Sequence, residues 1–201
     1  MATVFALFWS VFLGVVMYIF GYGSLINDHS RSRTGQTGRA TPAMVNGLQR
    51  HWSKVDGSYK ISPLIVVPEA GQCNGVIVEV DRSALAEFDK REHGYHRIKI
   101  DSQDVALQNC DQSLSGDVWV YVKDEPLAPC AVQPIMQTYV DTVLAGCLSI
   151  SDSFAEYFVS STQGWHHAFE NDRHQPKYGN MAGVVDAHLP IIDQLLRSVR
   201  V

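Results

Sequence analysis

"MYIFGYGSLIN", residues 17–27, is the stretch on which the fold depends. Met17, Tyr18, Ile19 and Phe20 suit a buried strand, and Gly21-Tyr22-Gly23-Ser24 follows as a turn rich in uncommitted backbone N–H groups. Three familiar sites begin this way, and none fits. A dinucleotide fingerprint needs G-x-G-x-x-G, yet Ile26 stands at the third glycine's place. A P-loop needs Gly-Lys-Ser/Thr, and no lysine is near. A hydrolase elbow needs G-x-S-x-G, whereas Tyr22 and Ile26 lie two positions either side of Ser24. What survives is a concave set of amide donors at a strand end, suited to a small anion and most simply a carboxylate. A tight turn without a ligand is the other reading of the same residues.

Upstream, residues 1–27 carry no charged side chain and residues 2–20 are nearly all apolar. That length matches a membrane span of about 20 residues. Giving residues 17–20 to a core strand leaves residues 2–16, which is short for a span. A secretory signal fits poorly, because no Lys or Arg precedes the apolar run and no A-x-A site follows it. Residues 1–16 are therefore either a short membrane-associating leader or an extension ahead of a start at Met17. Residues 17–201 form one domain.

Composition sets the class. With 201 residues, 46% hydrophobic and 18% charged, the chain is long enough for one substantial core. A net charge of −5 without a Lys/Arg block excludes nucleic acid as the expected partner. Cys73, Cys110, Cys130 and Cys147 are widely separated and form no C-x-x-C pair, so they read as reduced thiols of a cytoplasmic protein. His93, His96, His166, His167 and His174 lack metal-ligand spacing, and no metal is expected.

Downstream of the turn, residues 28–39 are polar and read as a loop. "PAMVNGLQRHWS" (42–53) reads as a strand bent at Gly47, and "NGVIVEV" (74–80) as a strand. Asp81 caps a helix with Leu85 and Phe88 on one face, ended by Gly94. "YHRIKI" (95–100) and "DVWVYV" (117–122) are further strands. From Val132 to Cys147 apolar residues keep helical spacing, with Gly146 placed as terminator. Ser153 and Glu156 have capping-box spacing for a second helix, and residues 190–199 close the chain as a third. Strands come mostly first and helices mostly last, which predicts a mixed α+β domain.

A second constellation is "FDKREHGYHR" (88–97). Glu92 falls where helix meets turn, four residues after Phe88 and so near the buried face. Desolvation there raises a carboxylate's pKa toward the range of a base at neutral pH. A solvated face of weak surface ion pairs is the plainer reading.

Together these stretches carry a family likeness. "FGYGSL" (20–25) resembles the signature of the gamma-glutamylcyclotransferase-like superfamily, which includes ChaC-like enzymes. "GLQRHW" (47–52) resembles that family's Gly-Arg-Trp strand, and "LAEFDKREHGYHR" (85–97) its Asp-x-Arg-Glu-x-Gly-Tyr segment. "QTYVDTVLAGCLSI" and "FAEYFVSSTQGW" resemble the helical C-terminal half of bacterial members, and "NDRHQPKY" (171–178) their tail. "KYGN" (177–180) departs from the family's Tyr-Pro-Arg. The resemblance implies a small mixed β-barrel-like sheet with packed α-helices. It also implies a cofactor-free cyclotransferase releasing 5-oxoproline from a small γ-glutamyl substrate. Glu92 would then be the acid/base residue. Gly21, Tyr22, Gly23, Ser24 and Leu25 would hold the glutamyl end, with Tyr95 and Tyr178 at the pocket wall.

Such a substrate carries its own nucleophile, the α-amine, and its own electrophile, the γ-carbonyl. That accounts for a sequence with no serine, cysteine or metal centre, since correctly folded intramolecular attack reaches effective molarities of ~10⁵ M or more. The readings left open are a γ-glutamylamine cyclotransferase, a non-catalytic module of the same fold for small carboxylates, and a protein held at a membrane by residues 1–16. Neither the particular γ-glutamyl compound nor the oligomeric state is written in the sequence.

Overall fold

A computed structural model describes residues 16–33, 37–57, 59–108 and 113–200. Its sheet is six-stranded, in the order β4-β6-β1-β3-β2-β5. The strands are β1 (Met17–Gly21), β2 (Ala40–Trp52), β3 (Leu64–Val80), β4 (His96–Ile100), β5 (Val105–Leu107) and β6 (Asp117–Val122). β1 lies inside the sheet, antiparallel to β3 and parallel to β6. Its apolar run suits that place, for Met17, Ile19 and Phe20 are all buried. The sheet stays open at β4 and β5 and does not close into a barrel, so the expected α+β fold is present with an open sheet.

The helices are α1 (Asp28–Ser32), α2 (Arg82–Arg91), α3 (Gln137–Ile150), α4 (Asp152–Ser161) and α5 (His188–Arg197). A short parallel pair, β7 (Ile135–Met136) and β8 (Phe169–Glu170), stands apart from the main sheet. Among the described residues no helix is long and apolar enough to cross a membrane. Residues 1–15, which hold nearly all of the apolar leader, and Cys110 lie outside the described residues.

Several expectations need correction. The loop expected at 28–39 begins as α1, because the Asn27 side chain accepts a hydrogen bond from Ser30 N at 3.1 Å and caps it. The strand expected at 74–80 is the last part of a 17-residue β3. Pro68 and Gly71 of β3 sit beside the bulge at Gly47, where the β2–β3 register already shifts.

The long helix starts at Gln137 rather than near Val132. Pro134 has no N–H and holds Gln133 extended. Asp172, from the tail, supplies the missing cap by accepting from Thr138 N at 2.9 Å and Thr138 Oγ1 at 2.6 Å. Gly146 does not end α3 but lies inside it, where a Cβ would stand 2.6 Å from Asn27 Cα and N. It permits a close approach. Finally, the cap of α4 is Ser151, accepting from Phe154 N at 3.1 Å, two residues before Ser153.

Candidate active site

The turn after β1 is folded tightly onto its own strand. Ile26 N donates to Gly23 O at 2.9 Å and Asn27 N to Ser24 O at 3.2 Å. A Cβ on Gly21 would come within 2.7 Å of Leu25 Cβ, and one on Gly23 within 3.0 Å of the Tyr139 hydroxyl. The amides of Gly23, Ser24 and Leu25 find no acceptor among the described residues.

Arg50 sets the direction of the first of those amides, that of Gly23. It is 1% exposed and sits on the inward face of β2 between Leu48 and Trp52. Its Nη1 donates to Tyr22 O at 3.2 Å and Asn74 O at 2.7 Å, and its Nη2 to Asn74 Oδ1 at 2.7 Å. Nε reaches Thr162 Oγ1 at 2.8 Å, and the guanidinium lies over the Phe158 ring, 3.6 Å from its centroid. Burial lowers its pKa. In a trans peptide the C=O and the following N–H point opposite ways. Drawing Tyr22 O into the core therefore turns the Gly23 N–H outward.

Glu92 arrives on α2. Asp81 starts that helix by accepting from Ala84 N at 2.7 Å, and Leu85 and Phe88 anchor its buried face. Glu92 is the C-cap, its N–H donating to Phe88 O at 2.9 Å. Gly94, at φ +89, then reverses the chain toward β4, a conformation for which glycine is suited. Asp89 ties the helix end down by accepting from the Tyr121 hydroxyl at 2.8 Å and pairing with Arg97 Nε at 3.1 Å.

Turn and carboxylate meet in one cavity of about 270 Å³. Gly21, Tyr22, Gly23, Ser24 and Leu25 line it together with Glu92, Tyr95 and Tyr178. The Glu92 side chain is 21% exposed, and burial raises its pKa although neighbouring Arg91 pulls it down. Tyr22 donates to Tyr121 O at 2.8 Å and Tyr95 to Leu64 O at 3.3 Å. Desolvation pushes both phenols well above their ordinary pKa, and the Glu92 charge adds to the effect.

Sequence reasoning missed Arg91, Tyr59, Tyr121, Tyr139 and Asn180, which line the same space. Six of the chain's eight tyrosines do so. Tyr139 lay in view as part of the apolar stripe of α3, but its hydroxyl was the signal of a polar neighbour. Its ring lies 4.7 Å from that of Tyr178 and 5.7 Å from that of Trp52, centroid to centroid. Among the described residues no three His, Cys, Asp or Glu side chains cluster as a metal site.

Comparisons with known proteins converge on one group. A family model described as "Gamma-glutamyl cyclotransferase, AIG2-like" matches residues 19–139. No curated protein matches. Among solved structures, a gamma-glutamyl cyclotransferase superposes with a TM-score of 0.57 at 14% identity, covering 89% of this chain and 99% of its own. An uncharacterized protein from Homo sapiens gives 0.56 at 14% identity, covering 89% and 98%. YkqA from Bacillus subtilis gives 0.51 at 18% identity, covering 70% of this chain and 52% of its own. These likenesses establish the fold.

Proposed function

This chain belongs to the gamma-glutamyl cyclotransferase, AIG2-like family, and from that premise we propose that it converts a γ-glutamyl compound into 5-oxoproline and a free amine. One observation carries the reading: the residues of the 21–25 turn and Glu92 line the same cavity. The substrate's α-carboxylate sits against the N–H groups of Gly23, Ser24 and Leu25, which have no other acceptor among the described residues. So held, the α-amine points at the γ-carbon.

Glu92 is suited to the proton work. Its pKa is raised by burial, so it is a better base than an ordinary carboxylate while remaining ionisable. It takes a proton from the α-ammonium, and the freed amine adds to the γ-carbonyl carbon. The ring C–N bond forms, and the bond to the leaving nitrogen breaks as that nitrogen is protonated. The ammonium gives up two protons in all, and both end on the departing amine. Nothing is oxidised, and no water is consumed.

The test is to incubate the protein with glutathione, γ-glutamyl amino acids and γ-glutamylamines and to assay 5-oxoproline. Glu92→Gln keeps the side chain's shape and removes the base, so the rate should fall by roughly 10²–10⁴-fold. Equal rates in variant and parent would remove Glu92 from the chemistry. A folded protein that binds these compounds without forming product would instead be a module for small carboxylates.

A further inference from the structure

The proton chemistry leaves one charged group of the cavity without a role. Among the described residues lining it, Arg91 is the only cation. It ends α2 directly before Glu92, and its side chain is 32% exposed. Nε lies 3.4 Å from Glu92 Oε1, a loose contact, while Nη1 is buried with no hydrogen-bond partner among the described residues. The guanidinium stands 5.7 Å from the Phe88 ring centroid, which gives it an apolar support but no counter-ion. A guanidinium is a planar fork of five donors matched to a carboxylate. Most of that capacity is unspent here.

We infer that Arg91 reads the leaving group: it binds a carboxylate carried on the carbon next to the released nitrogen. This rests on the orientation proposed above, with the α-carboxylate at the turn and the scissile nitrogen at Glu92. In a γ-glutamyl amino acid that second carboxylate is two bonds from the scissile nitrogen. A ligand whose nitrogen touches Glu92 therefore brings it toward the guanidinium that lies 3.4 Å from Glu92 Oε1. Tyr22, Tyr95 and Tyr139 are held neutral by burial and offer no competing charge. A leaving group ending in an ammonium would meet like charge at the same place. Arg91 transfers no proton, and its pull on the Glu92 pKa is common to every substrate, so its mark on selection is the ratio between substrates.

Two probes of equal size separate this role from general damage: γ-glutamyl-alanine and γ-glutamyl-alaninamide, which differ only in the second carboxylate. In a Glu92→Gln background, where turnover is suppressed, calorimetry should find the acid bound about tenfold more tightly than the amide, the size of one charge-assisted contact. The preference should weaken with added salt. Adding Arg91→Gln should abolish the preference by weakening the acid far more than the amide, and Arg91→Lys should restore part of it. With Glu92 intact, the ratio of kcat/KM between the two compounds should follow the same pattern. Equal affinity for acid and amide in the parent overturns the inference, as does an equal loss of both in Arg91→Gln or no binding of either. An Arg91-dependent preference in binding without any 5-oxoproline supports the role of Arg91 and overturns the cyclotransferase reading instead.

Discussion

Glu92 pays for its position, and that cost has a measurable sign. Burial raises its pKa in the fold, with Arg91 opposing. The folded state thus keeps the proton to higher pH than the unfolded chain does. Stability from this group is greatest below the unfolded pKa and declines as pH rises through the folded one. Glu92→Gln should therefore gain in Tm relative to the parent at pH 7, and the gain should shrink toward pH 4; a gap that widens on acidification would contradict the buried, raised carboxylate. With Glu92 as the proposed base, kcat/KM for 5-oxoproline release should climb with pH as Glu92 ionises above the ordinary carboxylate range. Glu92 was legible because it stands four residues after Phe88 within an Asp-x-Arg-Glu-x-Gly-Tyr run. Arg50 was not singled out, although alternation with Leu48 and Trp52 places it on the inward face of β2. Acceptors around it, among them Tyr22 O, Asn74 and Thr162, make that burial tenable, and they come from distant parts of the chain.

At the level of elements, periodicity identified most strands and helices, while boundaries depended on partners far away in sequence. β6 and the helix after Asp81 appear where alternation and capping put them. The start of α3 could not be read locally, since Asp172 caps it from 34 positions on. Gly146 is the clearest case of a local rule overruled by packing. Replacing a helix-interior glycine by alanine ordinarily stabilises by about 1 kcal/mol. Here the new methyl would press on the Asn27 backbone at 2.6 Å, and Asn27 also donates to Thr142 O at 2.8 Å. Gly146→Ala should consequently destabilise by roughly 1–3 kcal/mol, read as a lower denaturation midpoint. A stabilised variant would mean that α1 and α3 do not approach so closely.

Across the whole molecule, the tail after β8 binds the helical half together and completes the cavity with Tyr178 and Asn180. Arg173 holds it by pairing with Asp141 of α3 at 2.8 Å and with Asp193 of α5 at 2.8 Å. Asp141 is 2% exposed, and without Arg173 it keeps, among the described residues, Gln137 Nε2 at 2.7 Å. Arg173→Ala should cost roughly 2–4 kcal/mol, discounted because Arg173 itself is partly exposed. That corresponds to a fall in Tm of about 5–15 °C for a chain of this size. It should also raise KM more than it lowers kcat, because the Tyr178 wall loosens while Glu92 is untouched. An unchanged KM would show that the tail does not shape the binding space. The class of fold was legible from strand-then-helix order, whereas an open rather than closed sheet depends on strand pairing that no local pattern encodes. The rings of Tyr178, Tyr139 and Trp52 form a continuous aromatic relay from the ligand space into the core. At these separations light absorbed by the phenols should pass to the indole of Trp52. A γ-glutamyl compound seated against Tyr178 should therefore change the Trp52 emission excited through tyrosine.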